Sequence, residues 1–145
     1  MTGILKLKRE HVLYMQVKHS ALKIVLVIGA LFYLFGAVVH FFGLSIFPFY
    51  DNNLYSPYHD TLLALASFFI ALFILTVARD PLKNKDTLII IIVGIFIASL
   101  ASILIPLKIN FAELGAPAKE TQTIVEGVLG LLYAGLLLWL YPRKK

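Results

Sequence analysis

Long apolar stretches alternate with short polar ones along the chain, and this pattern alone predicts the main elements. A bilayer core about 30 Å thick requires roughly 20 mostly apolar residues in a helix. Four stretches qualify, and they use more than half of the chain: residues 22–44, 62–78, 87–107 and 123–141. The sequence therefore predicts an all-α, integral membrane four-helix bundle, with residues 1–145 as a single transmembrane domain.

The first apolar stretch is interpreted as a retained span and not as a cleaved signal peptide. A signal peptide carries an apolar region of only about 7–15 residues close to its start. Here some twenty residues precede a much longer apolar run. Those residues, 1–21, are expected to form a cytoplasmic or interfacial segment, either as a helix lying on the inner leaflet or as a partly disordered stretch.

Basic residues indicate how the four spans are oriented. Eleven of the 13 Lys and Arg residues lie in the N-terminal segment, the loop between the second and third stretches, and the C-terminal tail; the other two loops hold only Lys108 and Lys119. Because basic loops stay in the cytoplasm, both termini are predicted to be cytoplasmic and the protein to lie in the cell (inner) membrane. The net charge of +5 then reflects topology and attraction to anionic lipid, and not nucleic-acid binding.

Composition narrows the class of protein further. The chain is 60% hydrophobic and only 14% charged, whereas about a quarter of the residues in a soluble domain are charged. Disordered chains and coiled coils need more charge still. The absence of cysteine excludes a disulfide framework, an iron–sulfur cluster and a thiolate zinc site.

Two of the stretches open in a similar way. Pro57-Tyr-His-Asp-Thr61 precedes the second and Pro117-Ala-Lys-Glu-Thr121 precedes the fourth, and the next proline follows each threonine after 20 or 21 residues. One interpretation is a pair of repeated helical hairpins related by a pseudo-two-fold axis along the membrane normal. The alternative is that helices starting at the same interface share their start signals.

Polar residues inside the apolar stretches are the main functional signal. His40 lies roughly 10 Å outward from the middle of its span and Glu126 roughly 9 Å outward from the middle of its own. A carboxylate at the bilayer centre costs about 2.5–3.5 kcal/mol, and less near the interface. Glu126 is therefore expected to be protonated, paired or close to water.

Helical spacing predicts which sides of the helices face inward. His40 shares a face with Gly36, and Glu126 shares a face with Gly130. Small residues at such spacing permit close approach of two backbones. The predicted packing stripe comprises Gly36, Gly94, Ala98, Ser102 and Gly130.

These faces would bring His40 and Glu126 together beneath outer loops that carry Asp51, His59 and Asp60. Such a polar site could bind zinc, iron or copper, with His40, His59 and Glu126 as candidate metal ligands. It could equally hold a proton-relay pair or a quinone headgroup, and haem would need both His40 and His59. The structural alternative is a His40–Glu126 hydrogen bond worth about 0.6 kcal/mol. The cofactor stays unknown, and a protein without one is equally compatible with the sequence.

One part of the chain resembles known families. Tyr55-Ser-Pro-Tyr-His-Asp-Thr61, an apolar helix and then Ala78-Arg-Asp-Pro-Leu-Lys-Asn84 resemble the pattern of small four-span membrane proteins of the BphX-like and DoxX-like families. The resemblance covers roughly residues 50–86. It implies a four-span layout and, through the DoxX-like proteins, an association with membrane redox assemblies. It transfers no catalytic residue.

The sequence favours a non-catalytic protein, an accessory or structural subunit of a larger membrane complex, which the resemblance suggests is a redox complex. The expected partners are the lipid bilayer and other membrane-protein subunits, and a homo-oligomer stays open. One alternative is a metal-, quinone- or haem-binding redox protein with an outward-facing His/carboxylate site. Another is a small proton-coupled transporter in which Glu126 titrates. No catalytic constellation is present, so the chain is not expected to be an enzyme on its own.

Overall fold

Four long helices build the protein, as seen in a computed structural model that describes residues 2–46, 50 and 53–142, with side chains from residue 13 onward. A single 3₁₀ turn, Ile105–Leu107, follows the third helix. The helices are α1 (Thr2–Phe42), α2 (Pro57–Arg79), α3 (Lys85–Leu104) and α4 (Ala118–Leu140). Within the described ranges there is no strand, and Ile46 and Tyr50 form an isolated bridge in the loop after α1.

The predicted all-α architecture with four membrane-length helices is confirmed. Each helix contains a stretch long and apolar enough to cross a bilayer: Leu13–Phe42, Pro57–Arg79, Lys85–Leu107 and Ala118–Leu140. These stretches contain the predicted spans almost completely. The protein is therefore a multi-pass membrane protein by the length and composition of its helices.

The N-terminal segment differs from the expectation of a separate interfacial element. Residues before the first span belong to the same helix as the span, so α1 runs without interruption for 41 residues, about 60 Å at about 1.5 Å per residue. Residues 4–28 contain neither Gly nor Pro, the residues that usually break or kink a helix. An unbroken helix results.

The helices pack as two hairpins. Helix α1 packs along α2, and α3 packs along α4, whereas the α1–α4 and α2–α3 contacts between the hairpins are much smaller. Loop length does not explain this pairing, because the shortest connection, residues 80–84, joins α2 and α3, which contact each other little. This arrangement fits the predicted pair of hairpins, while their origin as a repeat stays a prediction.

One half of the bundle holds the shared hydrophobic core. The buried cluster takes residues from the span start of α1, the end of α2, the start of α3 and the end of α4. Its members are Leu22, Leu26, Ala30, Ala71, Ile74, Val77, Ala78, Leu88, Ile92, Ile95, Ala134, Leu137 and Leu140. We call this half, which contains the α2–α3 turn, the core half, and the opposite half the distal half.

In the distal half, α3 and α4 approach each other closely at two glycines. A Cβ atom on Gly127 would lie 2.5 Å from Ile103 Cγ1 and 2.7 Å from the Ser99 carbonyl oxygen. A Cβ on Gly130 would collide with the Ser99 hydroxyl. A larger residue at Gly127 would force the helices apart because it meets backbone atoms, whereas one at Gly130 would first displace the Ser99 hydroxyl.

Of the predicted packing stripe, Gly130 lies at the α3–α4 contact and Ser102 is half-buried, whereas Gly94 and Ala98 lie off the buried face of α3. Gly94 and Ala98 are exposed, and a Cβ on Gly94 would meet nothing within 4 Å. The buried face of α3 runs through Ile92, Ile95 and Ser99, about 100° around the helix from the predicted stripe. The small residues of α3 were assigned to the wrong face because spacing alone does not say which face is buried.

Candidate functional site

The last turn of α1 and the first turn of α2 meet in a buried polar pair. His40 Nδ1 lies 2.6 Å from Asp60 Oδ1. The Asp60 side chain is only 8% exposed and the His40 side chain 24% exposed. Because α1 and α2 are antiparallel neighbours, the end of one helix necessarily lies beside the start of the other.

Two further residues complete the hydrogen bonding of the Asp60 carboxylate. The Tyr50 hydroxyl donates to Asp60 Oδ1 at 2.8 Å, and the Ser56 backbone N–H donates to Oδ2 at 2.7 Å. The Tyr50 ring also stands edge-on to the His40 ring, with centroids 4.8 Å apart. Both carboxylate oxygens are thus satisfied from within one hairpin. We call His40, Tyr50, Ser56 and Asp60 the distal cluster.

Local sequence explains why Asp60 points back toward the loop. Ser56 has extended backbone geometry and Pro57 follows it as the first helical residue, where proline is well tolerated because it lacks an N–H to satisfy. The Ser56 side chain makes no capping bond to the helix. The carboxylate of Asp60 instead accepts the Ser56 N–H, in a first turn where the helix dipole favours negative charge.

The predicted His40–Glu126 pair does not form. His40 is bonded to Asp60, whereas Glu126 is exposed and accepts a 2.8 Å hydrogen bond from Gln122 Nε2, one turn away on α4. The carboxylate that contacts His40 is that of Asp60 on α2 and not that of Glu126 on α4. The reason is that α1 packs along α2 and only lightly against α4.

The other two predicted members are not part of the distal cluster. His59 is exposed on the first turn of α2, with its Nδ1 3.0 Å from the Ser56 hydroxyl. Asp51 lies outside the described residues. Among the side chains that the structure describes, no three His, Asp or Glu residues are grouped so that they could hold a metal ion. The described chemistry is a hydrogen-bonded His–Asp–Tyr arrangement.

A lysine from the second hairpin contacts this cluster. Lys119, in the first turn of α4, places its Nζ 4.3 Å from the centroid of the Tyr50 ring. A cation over an aromatic face is attracted by the ring quadrupole. Lys119 therefore links α4 to the polar end of the first hairpin.

In the core half, α4 contacts α1 through a tyrosine. The Tyr133 hydroxyl donates a 3.1 Å hydrogen bond to the Val25 carbonyl oxygen. A Cβ on Gly29 would collide with that hydroxyl. Gly29 thus makes room for a tyrosine that joins the two hairpins.

Between the Tyr133 and Lys119 contacts, no described atom covers the α1 face at Gly36. Gly36 lies seven residues beyond Gly29 on α1, and Glu126 lies seven residues before Tyr133 on α4, so each shares its helix face with the contact residue. Both are therefore about 10 Å from the Tyr133 contact, on its distal side. A Cβ on Gly36 would meet nothing within 4 Å, and Glu126 is exposed. We call this space, between Gly36 and Glu126, the hairpin groove.

The depth of Glu126 makes its exposure significant. It is the ninth of the 23 residues of α4, about 12 Å along a helix about 35 Å long. Its carboxyl group therefore lies in the distal half of the helix, outward of the middle, where a charge costs less than at the bilayer centre. A charged carboxylate at the centre of a bilayer costs about 2.5–3.5 kcal/mol unless something compensates it.

Residues that the sequence analysis did not assign to this region include Tyr50, Lys119 and Gly29. Tyr50 is one of several aromatic residues in its loop, and Lys119 is one of the two basic residues predicted on the outer side. Neither carries a signal for its contact. Gly29 lies seven residues before Gly36, a spacing that could have marked both as one helix face.

Comparisons of the chain with protein-family models, with curated proteins and with solved structures found no match. Interpretation of the site therefore depends on its geometry.

Proposed function

We propose that the protein is a non-catalytic, four-span membrane protein that serves as an accessory subunit of a larger membrane complex. The observation that carries this proposal is Glu126, an exposed carboxyl group in the distal half of an apolar, membrane-length helix. Its hydrogen bond to Gln122 comes from its own helix and does not shield the group from lipid. A hydrogen-bond donor on another subunit would.

The distal cluster supports a structural and not a catalytic reading of the other polar residues. Its carboxylate accepts three hydrogen bonds, from His40, Tyr50 and the Ser56 N–H, all within the first hairpin. Buried polar networks that are fully satisfied make a structure rigid. Residues of the first hairpin alone satisfy the Asp60 carboxylate.

The surface of the bundle is consistent with extensive contacts inside a membrane. Only 22–28% of the most apolar window of each span is buried within the protein, which leaves most of each span available to lipid or to other subunits. The predicted orientation, with both termini in the cytoplasm, belongs to this proposal and is supported by the distribution of Lys and Arg. The resemblance to DoxX-like proteins favours a redox complex.

Native mass spectrometry of gently solubilised membranes tests the proposal. We expect complexes whose mass is not a multiple of the 16.2 kDa chain, containing this chain and at least one other membrane protein. The same preparation treated with a harsh detergent is the control and should release the 16.2 kDa chain. Finding only free chains or homo-oligomers in all lipids would contradict the proposal.

A second candidate function is binding of a quinone headgroup. One observation favours it: His40 lies four residues beyond Gly36 on the same face of α1, so the polar pair stands at the distal end of the hairpin groove. We expect a quinone analogue to raise the melting temperature and to slow hydrogen exchange around His40, and His40→Ala to abolish both effects. No change in either signal with saturating analogue would eliminate this candidate.

A further inference from the structure

A pocket of about 320 Å³ lies at the core-half end of the bundle. Its walls come from α1 between Met15 and Leu22, from Leu82 in the α2–α3 turn, and from Leu140 and Pro142 at the end of α4. Two of these residues, Leu22 and Leu140, also belong to the hydrophobic core. The volume is at the lower end of the range for small-molecule sites, about 300–1,000 Å³.

The pocket stands where the apolar spans meet the polar end of the bundle. Helix α2 ends at Arg79 and α3 begins at Lys85. The Tyr141 hydroxyl, just beyond α4, donates a 3.4 Å hydrogen bond to the Lys85 carbonyl oxygen, so the end of α4 lies at the same level. A ligand at this level meets leucine side chains on one side and charged helix ends on the other.

The charge beside the pocket is mainly positive. The lining residues include Lys18 and His19 and no acidic residue. In the sequence, Lys83 and Arg143 directly follow two of the lining residues. The α2–α3 turn contributes one carboxylate, that of Asp80, which accepts the Lys83 backbone N–H. We call this site the basic pocket.

The imidazole of His19 lacks a partner. Its Nδ1 is buried and has no hydrogen bond within the described part of the chain, whereas buried polar atoms are nearly always hydrogen-bonded. The His19 ring lines the basic pocket. An imidazole donates through at least one of its nitrogens, so an oxygen acceptor bound here would supply a partner that the described chain does not.

We propose that the basic pocket binds an anionic phospholipid, with part of an acyl chain against Leu82 and Leu140 and the phosphate beside Lys18 and His19. Basic pockets between membrane helices on the cytoplasmic side bind anionic headgroups, and the predicted orientation directs this end to the cytoplasm. A free phosphate ion would leave the leucine walls uncovered. A lipid without net charge would leave the basic residues uncompensated. This proposal does not depend on the proposed accessory function.

A second pocket of similar size provides the comparison. It has a volume of about 340 Å³, lies between α1 and α2, and is lined by apolar residues, among them Val38, Phe41 and Phe68. Lipid tails are as apolar as these side chains, so any acyl chain can cover them whatever its headgroup. The charge of the headgroup should therefore matter at the basic pocket and not at this second pocket.

Photolabelling of the full chain in phosphatidylcholine vesicles tests the proposal. A trace of phosphatidylglycerol with a photoreactive acyl chain is included, and the labelled peptides are identified by mass spectrometry. We expect labelling near Leu22 and Leu140 to fall several-fold when unlabelled phosphatidylglycerol replaces part of the host lipid. Labelling near Phe41 and Phe68 should stay unchanged, and inorganic phosphate should displace label from neither pocket.

Three variants separate the pocket from general surface charge. Lys18→Gln should weaken labelling of the basic pocket about five-fold, the contribution of one basic residue near an anionic surface. Lys23→Gln is the matched control and should change it little, because Lys23 is also half-buried on α1 but does not line the pocket. Leu82→Trp retains every charge and fills part of the pocket, so it should also reduce labelling.

Each contrary outcome overturns the proposal. Label in the basic pocket that phosphatidylglycerol does not displace, or equal losses in Lys18→Gln and Lys23→Gln, would show no selective site for an anionic lipid. Displacement by inorganic phosphate would show that an anion alone binds. Unchanged labelling in Leu82→Trp would show that charge attracts the lipid without a pocket. The assay contains no other subunit, so its failure leaves the accessory function standing.

Discussion

The two halves of the bundle are held together in different ways. In the core half, all four helices contribute to one buried apolar cluster, and the Tyr133–Val25 hydrogen bond joins the two hairpins. In the distal half, each hairpin is held separately. The first depends on the Asp60 carboxylate and the second on the fit of Gly127 and Gly130 around Ser99.

This difference follows from the forces available in a membrane. Lipid is as apolar as the side chains it replaces, so helices associate through close packing and hydrogen bonds and not through a hydrophobic drive. In the core half, close packing involves all four helices. The distal half uses polar bonds within hairpins and leaves a groove between them. We therefore expect stability to reside mainly in the core half, and partner binding in the distal half.

The largest effect is expected from removing the carboxylate of the distal cluster. Asp60→Ala leaves His40 and the Ser56 N–H without their buried partner, and each part-buried donor left unsatisfied costs about 1–3 kcal/mol. Denaturant titration in detergent measures the loss. Hydrogen exchange should show faster opening between His40 and Asp60, with little change around Leu137 in the core half.

The matched control for this substitution is Asp80→Ala at the α2–α3 turn. Asp80 is exposed, and its carboxylate accepts a single 3.2 Å bond from the Lys83 N–H. We expect a change below about 1 kcal/mol, as for other exposed polar contacts. Equal losses for the two variants would show that the distal cluster does not hold the first hairpin together.

Sequence reasoning predicted the elements of the distal cluster better than their pairing. The apolar stretches predicted the four spans, and Asp60 was predicted to lie on the outer side. The partner of His40 was wrong because depth in the membrane does not determine which helices are neighbours. Packing of α1 along α2 places Asp60 beside His40 and leaves Glu126 across a groove.

The packing faces show the same limit. Spacing identified Gly130 correctly, but on α3 it selected Gly94 and Ala98, whereas Ser99 faces α4. In a helix that is apolar on every side, composition provides no polar face from which to infer the buried one. The buried side of α3 is the side that contacts Gly127 and Gly130 of α4. This contact exists only in the assembled hairpin, so the sequence of α3 alone does not reveal it.

Substitution of two glycines of α1 tests the difference between the two halves, with expected effects on stability of intermediate size. Gly29→Ala would collide with the Tyr133 hydroxyl and disturb its bond to Val25, so we expect a loss of about 1–3 kcal/mol. Gly36→Ala enters open space and should be neutral or stabilising by up to about 1 kcal/mol, because alanine is the better helix former. Denaturant titration of both variants in the same detergent measures the difference.

The two positions lie two turns apart on one face of one helix, so helix propensity affects both alike. A loss at Gly36 equal to that at Gly29 would mean that the hairpins are in contact along their whole length. The distinction between the halves would then fail. Tyr133→Phe combined with Gly29→Ala should restore part of the loss, because it removes the hydroxyl that collides with the added Cβ.

The smallest expected effect concerns the Lys119–Tyr50 contact between the two hairpins in the distal half. Lys119→Gln removes the cation from the face of the Tyr50 ring, and we expect a loss of about 0.5–1 kcal/mol. A double-mutant cycle isolates this term. The loss should persist in Tyr50→Phe, which retains the ring but not the hydrogen bond to Asp60, and should disappear in Tyr50→Leu.

Lys108→Gln, at the end of α3, is the charge-matched control. If Lys119→Gln and Lys108→Gln have equal effects in every background, Lys119 acts through general charge, and the contact with Tyr50 does not join the hairpins.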